Sequence, residues 1–241
     1  MHQQFAGRNL AIFAISAGLL LLFLVGLSPA AFAHGIGGKD AAFVAASTGP
    51  QIVPFMYLGA KHMVTGYDHL LFILGVIFFL YRLSHVALYV TMFSIGHSIT
   101  LLAGVLLGLN VNSFLVDALI GLSVVYKAFD NLGGFQSLFG FQPNTKAAVL
   151  GFGLVHGFGL ATKLQALKLS PAGLVTNMIS FNVGVELGQL LALSVILALI
   201  IAWRKTPSFT RNAVLANVLI MVGGFALIEY QLTGYFTNGR F

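Results

Sequence analysis

Two histidines and an aspartate lie in one short stretch with a spacing that suits metal coordination. His62 and His69 are seven residues apart, or two helical turns, so they would share a face if one helix contains both. Asp68 directly precedes His69, and the stretch reads His-x5-Asp-His. Imidazole nitrogens and a carboxylate form a ligand set suited to Ni²⁺, Co²⁺, Cu²⁺ or Zn²⁺. The stretch therefore predicts a transition-metal site at the start of a helix.

Three further ionisable residues fall near the middle of long apolar segments: His97, His156 and Glu186. An ionisable side chain in the middle of a bilayer costs at least a few kcal/mol, so each is interpreted as functional and in need of a partner. A buried Glu186 would be protonated or paired with a cation, and the histidines are the cationic candidates at similar depth. The pattern predicts a mid-membrane metal site made of these three residues, or a proton pathway.

Polar residues surround these candidates and would support them. Asn182, Glu186 and Gln189 are spaced four and three apart, so they are predicted to share one helix face that avoids lipid. Ser98 follows His97 directly. A simpler interpretation for the amides is a hydrogen-bonded stripe that holds helices together. Asp117 and Lys163 fall near predicted segment ends and are interpreted only as boundary residues.

The composition determines which elements must position these residues. Of 241 residues, 58% are hydrophobic and 7% are charged, and the mean hydropathy is +0.95. A soluble domain carries about 25% charged residues, so this chain is predicted to be an integral membrane protein. The net charge of +6 comes from scattered Lys and Arg residues, which argues against nucleic acid as a partner. Cys is absent, so any metal must bind through nitrogen and oxygen.

The N-terminal residues have the pattern of a signal peptide. Arg8 precedes an apolar run, and Ala31-Phe32-Ala33 has the small-x-small form of a cleavage site. Residues 1–33 are therefore predicted to be a signal peptide cleaved after Ala33, with an uncleaved transmembrane helix as the alternative. The mature chain would begin at His34, whose amine and imidazole could also bind a metal.

The remaining sequence predicts an all-α, polytopic membrane helix bundle. A span needs about 20 mostly apolar residues, and about six such stretches follow the signal peptide. Residues 34–62 are predicted to form an extracytoplasmic segment, residues 63–232 the six-helix transmembrane domain, and residues 233–241 a C-terminal tail. With the mature N-terminus outside, the basic residues favour a cytoplasmic position for Arg82 and for the turn at Arg204. The predicted spans are 65–83, 85–108, 111–131, 146–167, 171–203 and 208–232.

Four motifs together resemble the HupE/UreJ family of hydrogenase and urease accessory membrane proteins, which are regarded as nickel permeases. The resemblance covers roughly residues 50–232, and the order and spacing of the motifs are more specific than any one of them. They are Gly66-Tyr67-Asp68-His69-Leu70-Leu71-Phe72, Gly96-His97-Ser98-Ile99-Thr100-Leu101, Leu154-Val155-His156-Gly157-Phe158-Gly159, and Phe181-Asn182-Val183-Gly184-Val185-Glu186-Leu187-Gly188-Gln189.

This resemblance implies a place and a substrate. The metal-selecting element of the family maps onto His62, Asp68 and His69, and nickel is the implied substrate, with cobalt or copper as alternatives. The implied location is the bacterial inner membrane, and the implied partners are the lipid bilayer, the metal ion and a metalloenzyme maturation system. Classical members are expected to have more histidines near the mature N-terminus and the fourth span, where this chain retains His34 and His156. It looks more like the broader second branch of the family.

The leading hypothesis is a divalent transition-metal permease that is not an enzyme and uses no organic cofactor. The alternative is an intramembrane metalloenzyme that uses the His/Glu cluster as a catalytic metal site. The sequence contains no His-Glu-x-x-His string, which argues against a metalloprotease that uses this motif. It also contains no G-x-x-x-x-G-K-[ST] phosphate-binding loop, which argues against a pump that hydrolyses ATP at such a loop. A third hypothesis is an accessory protein that delivers metal without transporting it.

Overall fold

The protein is helical throughout the residues that the structure describes. A computed structural model describes residues 38–109, 111–167 and 169–238, and these contain helices without any strand, which confirms the predicted all-α class. The predicted signal peptide and His34 lie outside the described residues. The helices are α1 (Gly38–Ala46), α2 (Ile52–Thr65), α3 (Tyr67–Ile77), α4 (Leu83–Leu107), α5 (Ser113–Asn131), α6 (Gly134–Phe139), α7 (Thr145–Gln165), α8 (Leu174–Arg204) and α9 (Pro207–Asn238).

Within the described residues, four helices are long and apolar enough to cross a membrane, namely α4, α7, α8 and α9. Helix α3 is apolar but has only 11 residues. Helix α5 has 19 residues, and its polar members Asp117, Lys127 and Asp130 lower its hydropathy. The membrane character of the chain is thus supported, whereas the count of six spans stays a prediction.

Helices α2 and α8 pack side by side in parallel because glycines allow their backbones to touch. A Cβ at Gly184 would overlap the carbonyl oxygen of Met56, and a Cβ at Gly188 would lie 2.6 Å from the carbonyl oxygen of Ala60. Residue numbers increase together along both helices at these contacts. Small residues one turn apart create such close approaches in membrane bundles, where van der Waals packing replaces the hydrophobic effect.

Close backbone contacts at glycine also join two other helix pairs. Helices α4 and α7 run parallel, with Gly96 against Leu150 and Gly157 against the carbonyl oxygen of His97. Helices α5 and α9 run antiparallel and touch at Gly121 and Gly224. These three tight pairs form the framework of the bundle and determine which side chains can meet inside it.

Helices α2 and α3 form one broken helix that is joined to α8 at both ends. At one end, Asn177 of α8 accepts a hydrogen bond from the amide of Gln51 (2.6 Å). At the other end, Arg204 of α8 binds the end of α3. The glycine contacts pack α2 against α8 within the bundle, and the extracytoplasmic position of residues 34–62 stays a prediction. Phe55 and Met63 of α2 are buried.

Arg204 closes the end of α3 by donating hydrogen bonds to the carbonyl oxygens of Ile77 (2.8 Å), Phe78 (2.5 Å) and Leu80 (2.8 Å). The last carbonyls of a helix have no partner within the helix, and leaving them unpaired away from water is costly. The guanidinium also lies over the ring of Tyr81, 4.3 Å from its centroid. Arg204 thus ties the end of α3 to the end of α8.

We expect Arg204→Met to lower the free energy of unfolding by about 2–3 kcal/mol, because several carbonyls lose a charged donor. Arg204→Lys should restore only part of this, since an ammonium cannot reach three carbonyls in a planar fork. Thermal unfolding in detergent measures the effect. The control is Arg211→Met, which removes the same charge from an exposed site at the start of α9. Equal unfolding temperatures for the two methionine variants would contradict the capping role.

Candidate metal site

Four of the seven histidines of the chain meet in the centre of the bundle, and each comes from a different helix. The ring of His69 on α3 lies at the middle of the group. Its centroid is 5.1 Å from that of His62 on α2, 6.0 Å from that of His97 on α4 and 4.9 Å from that of His156 on α7. The side chains of His69, His97 and His156 are buried, and His62 is half-buried. We call this group the histidine cluster.

The break between α2 and α3 brings His62 and His69 together. A single helix through both residues was the condition set by their spacing, but Gly66 interrupts the helix with φ −75° and ψ 99°. A Cβ at Gly66 would lie 2.9 Å from Nδ1 of His69 and 3.1 Å from Oδ1 of Asp68. A side chain at this position would therefore press on the cluster. Broken helices recur at ion sites in membrane transporters because their free ends and side chains point into the protein.

Asp68 orients His69 for binding through one particular nitrogen. Oδ1 of Asp68 accepts a hydrogen bond from the backbone amide of His69 (2.8 Å) and lies 2.9 Å from Nδ1 of the His69 ring. A carboxylate in this position favours the proton on Nδ1, which leaves the lone pair on Nε2. That Nε2 is buried and has no hydrogen-bond partner among the described residues. Metal-binding histidines commonly have this arrangement.

Ser123 of α5 orients His156 in a comparable way. Its hydroxyl donates to the carbonyl oxygen of Ile120 (2.6 Å) and lies 3.0 Å from Nε2 of His156. A hydroxyl has one hydrogen, so the imidazole must be the donor in the second contact, and its lone pair then resides on Nδ1. Nδ1 of His156 is buried and has no partner in the described part of the chain. The sequence analysis missed Ser123, because only the tertiary structure places α5 beside α7 at this depth.

The remaining nitrogens of the cluster are also available. Both ring nitrogens of His97 and Nε2 of His62 are buried without a partner among the described residues. Buried polar groups without hydrogen bonds are rare, and each one calls for an explanation. A group of four imidazoles with unpaired nitrogens is explained if these nitrogens bind an ion or its water molecules.

The side chains as they stand do not form a closed coordination sphere. Within the described residues, no group of three or more His, Asp or Glu side chains is arranged so that it could hold a metal ion. The rings of His69 and His156 instead meet edge to face, with an interplanar angle of 85°. Ring rotations would be needed for the nitrogens to converge on one ion.

An aromatic layer covers one side of the cluster. Phe72, Phe93 and Phe152 each lie three or four residues from a cluster histidine, towards the end of the bundle that contains Arg204. The ring centroid of Phe72 is 5.2 Å from that of Phe93 and 5.8 Å from that of Phe152. Phe93 also contacts the rings of His97 and His156. The cluster is therefore closed by apolar rings on the side predicted to face the cytoplasm.

The structure separates Glu186 from the cluster, which corrects the predicted grouping with His97 and His156. Its side chain is exposed on the outside of the bundle, in a groove between α4 and α8 that Thr91 and Ser94 also line. The reason is angular: at about 100° per residue, Glu186 lies about 40° past Asn182, which itself borders the buried face of α8. One turn of a helix is enough to move a side chain from the core to the surface.

The three supporting residues have different positions. Asn182 is buried with both amide atoms unpartnered in the described residues, and its neighbour Phe181 contacts the ring of His62. Gln189 is buried and accepts a hydrogen bond from Ser94 (2.9 Å), so it joins α8 to α4. Ser98 is half-buried on α4 beside His97. Asn182 therefore has two unpaired amide atoms and directly follows Phe181, which touches the cluster.

We expect Glu186→Gln to leave Ni²⁺ affinity within about twofold of the wild type, because a side chain outside the bundle cannot reach the cluster. Isothermal titration calorimetry on detergent-purified protein measures this affinity. His97→Ala is the matched positive control from inside the cluster. A loss of affinity in Glu186→Gln comparable to that of His97→Ala would contradict the separation seen in the structure.

Comparison with known protein families identifies this chain. The family model described as HupE / UreJ protein matches residues 38–239, which is most of the chain. No curated protein and no solved structure matches the chain. The matched range contains the whole histidine cluster and Asp68.

Proposed function

This chain belongs to the HupE/UreJ family, and from this premise we propose that it is a permease for a divalent transition-metal ion. The family suggests a role in metal transport or as a metal accessory protein. The observation that carries the narrower proposal is the histidine cluster, in which four helices contribute imidazoles with unpaired nitrogens at the centre of the bundle. No catalytic residue and no organic cofactor is needed for this function.

The ligand chemistry favours a borderline metal. Neutral imidazoles with one carboxylate bind Ni²⁺, Co²⁺, Cu²⁺ and Zn²⁺ in preference to Mg²⁺ or Ca²⁺, which prefer oxygen ligands. We propose Ni²⁺ as the first candidate because of the family, with Co²⁺ and Cu²⁺ as alternatives. His62, Asp68 and His69 would receive the ion, and His97 and His156 would share it. Since the rings must rotate to bind, part of the binding free energy is spent on that rearrangement, which weakens binding and favours release, as conduction requires.

The aromatic layer supports a gated route rather than an open pore. Phe72 and Phe93 are almost fully buried, and an apolar cavity lined by Val76 and Tyr89 lies beside them. An ion leaving the cluster towards the predicted cytoplasmic end must displace these rings. In the proposed cycle, metal enters from the opposite end, binds at the cluster and leaves when the aromatic layer opens.

Flux measurements test the proposal directly. The full chain is purified in detergent, analysed for bound metal and reconstituted into liposomes of bacterial lipid that contain a metal-sensitive dye. Saturable uptake of Ni²⁺, Co²⁺, Cu²⁺ or Zn²⁺ above protein-free liposomes would support a permease and name its substrate. Mg²⁺ serves as the control ion, because imidazole sites discriminate against it.

Two other outcomes would overturn the permease. Tightly held, stoichiometric metal without flux would favour an accessory protein that delivers metal to a maturation system in the membrane. Turnover of a membrane substrate with retained metal would favour the intramembrane metalloenzyme. The bacterial inner membrane is the proposed location for the permease.

A further inference from the structure

A second buried carboxylate lies beside the histidine cluster, on an element that the proposed binding residues do not include. Asp117 of α5 is 8% exposed. Its Oδ2 lies 2.8 Å from the ammonium of Lys163 on α7, and its Oδ1 is buried without a hydrogen-bond donor among the described residues. A buried carboxylate oxygen without a hydrogen-bond donor is costly, and a cation that approaches this free oxygen would remove the cost.

The free oxygen of Asp117 lies close to the cluster. Gly159, three residues after His156 on α7, is the point of contact: a Cβ there would lie 3.2 Å from Oδ1 of Asp117. Asp117 also interacts electrostatically with Asp68 and His69. Its partner Lys163 lies near enough to His62 for a positive charge on each to repel the other. Along α7, Gly159 and Lys163 follow His156 whereas Phe152 of the aromatic layer precedes it, so the ion pair lies on the opposite side of the cluster.

Charge balance gives Asp117 a role. A divalent ion that loses its water in a medium of low dielectric constant is stabilised by negative charges nearby. Asp68 supplies one of them. The chain has six acidic residues, and the other four lie elsewhere: Asp40 pairs with Lys61 at the surface, Asp130 pairs with Lys127 near the opposite end, Glu186 is outside the bundle, and Glu229 accepts from Thr233. Asp117 is thus the second carboxylate available at the cluster.

Lys163 is placed to compete with the ion and then to leave. It lies in the last turn of α7, and 20% of its side chain is exposed. A lysine near the end of a membrane helix can extend its four-carbon stem so that the ammonium reaches the aqueous boundary. In the absence of metal the same ammonium can neutralise Asp117. The metal ion would then replace the Lys163 ammonium beside Asp117 when the site fills, and the ammonium would return when the site empties.

We propose that Asp117 binds the transported cation together with the histidine cluster, and that Lys163 is the built-in competitor that neutralises Asp117 when the site is empty. This inference rests on the proposed permease function and adds two residues to its site. Its distinctive consequence is a difference in sign. Loss of the carboxylate weakens metal binding, whereas loss of the ammonium strengthens it.

The test is Ni²⁺ titration calorimetry on the detergent-purified full chain and on Asp117→Asn, Lys163→Met and the double variant. We expect Asp117→Asn to weaken binding by about tenfold or more and Lys163→Met to strengthen it by up to about tenfold. In the Asp117→Asn background, Lys163→Met should have a much smaller effect, since the competed carboxylate is gone. Asp130→Asn is the matched control, because it breaks a buried ion pair near the other end of the bundle and should leave the affinity unchanged.

A purely structural ion pair would behave differently, with both single substitutions lowering stability and changing affinity in the same direction or not at all. Either result overturns the inference. If Asp117→Asn does not fold, the sign of the change in Lys163→Met still decides, and if Lys163→Met does not fold, Lys163→Gln takes its place. Unchanged Ni²⁺ binding in Asp117→Asn, with binding lost in His69→Ala, would overturn only this inference. A wild-type protein that binds none of Ni²⁺, Co²⁺, Cu²⁺ and Zn²⁺ would overturn the proposed function as well.

Discussion

Replacing His69 by alanine is expected to lower Ni²⁺ affinity by about 100-fold or more and to abolish flux into liposomes. His69 is the member of the cluster whose ring contacts all three others. It is also the member that a carboxylate orients, through Asp68. Loss of a residue that merely orients a ligand costs about 10–100-fold in metal affinity, so loss of the ligand itself should reach at least the upper limit.

Two further variants, with expected losses of Ni²⁺ affinity between none and that of His69→Ala, separate an effect on binding from an effect on folding. Asp68→Asn keeps the ring of His69 but removes the charge that holds the proton on Nδ1, and we expect an intermediate loss of about 10–100-fold. His85→Ala is the control, because His85 is exposed near the start of α4, 12 residues before His97, the cluster residue of that helix. Titration calorimetry and dye-based flux give the two readouts. Wild-type affinity in folded His69→Ala would refute binding at the cluster.

Replacing Gly157 by alanine is expected to cost about 3 kcal/mol or more in stability, or to prevent assembly of the bundle. A Cβ at this position would overlap the carbonyl oxygen of His97 and would lie 2.5 Å from the hydroxyl of Thr100. Neither can move away easily, since both belong to α4, which packs along α7. Overpacking of a close helix contact forces the backbones apart and sacrifices neighbouring contacts.

Gly151 provides a control for this prediction on the same helix. A Cβ there meets no other heavy atom within 4 Å. Gly151→Ala should therefore be neutral or stabilising by up to about 1 kcal/mol, because alanine favours the helix. Size-exclusion chromatography and thermal unfolding in detergent compare the two variants. If Gly157→Ala unfolded at the same temperature as Gly151→Ala, the close approach of α4 and α7 would not be needed for stability.

The sequence was sufficient to identify the chemical groups and the fold class. Long apolar runs require helices, since a helix satisfies its own backbone hydrogen bonds in lipid. Within these runs the cost of an ionisable side chain singled out His97 and His156, and the His-x5-Asp-His spacing singled out His62, Asp68 and His69. The family followed from the order of these motifs, and the family match confirms it. These conclusions depend on local composition and spacing, which a sequence contains directly.

The tertiary structure alone decided which of these groups meet. Glu186 satisfies the same local criteria as the histidines but faces outwards, since the position of α2 along Gly184 and Gly188 sets the rotation of α8. Asp117 and Lys163 resembled boundary residues, yet the packing of α5 against α7 places them beside the cluster. Helix pairing depends on backbone contacts between segments far apart in the chain. The side of a helix that faces the core is set by its own small residues together with the partner helix that they contact.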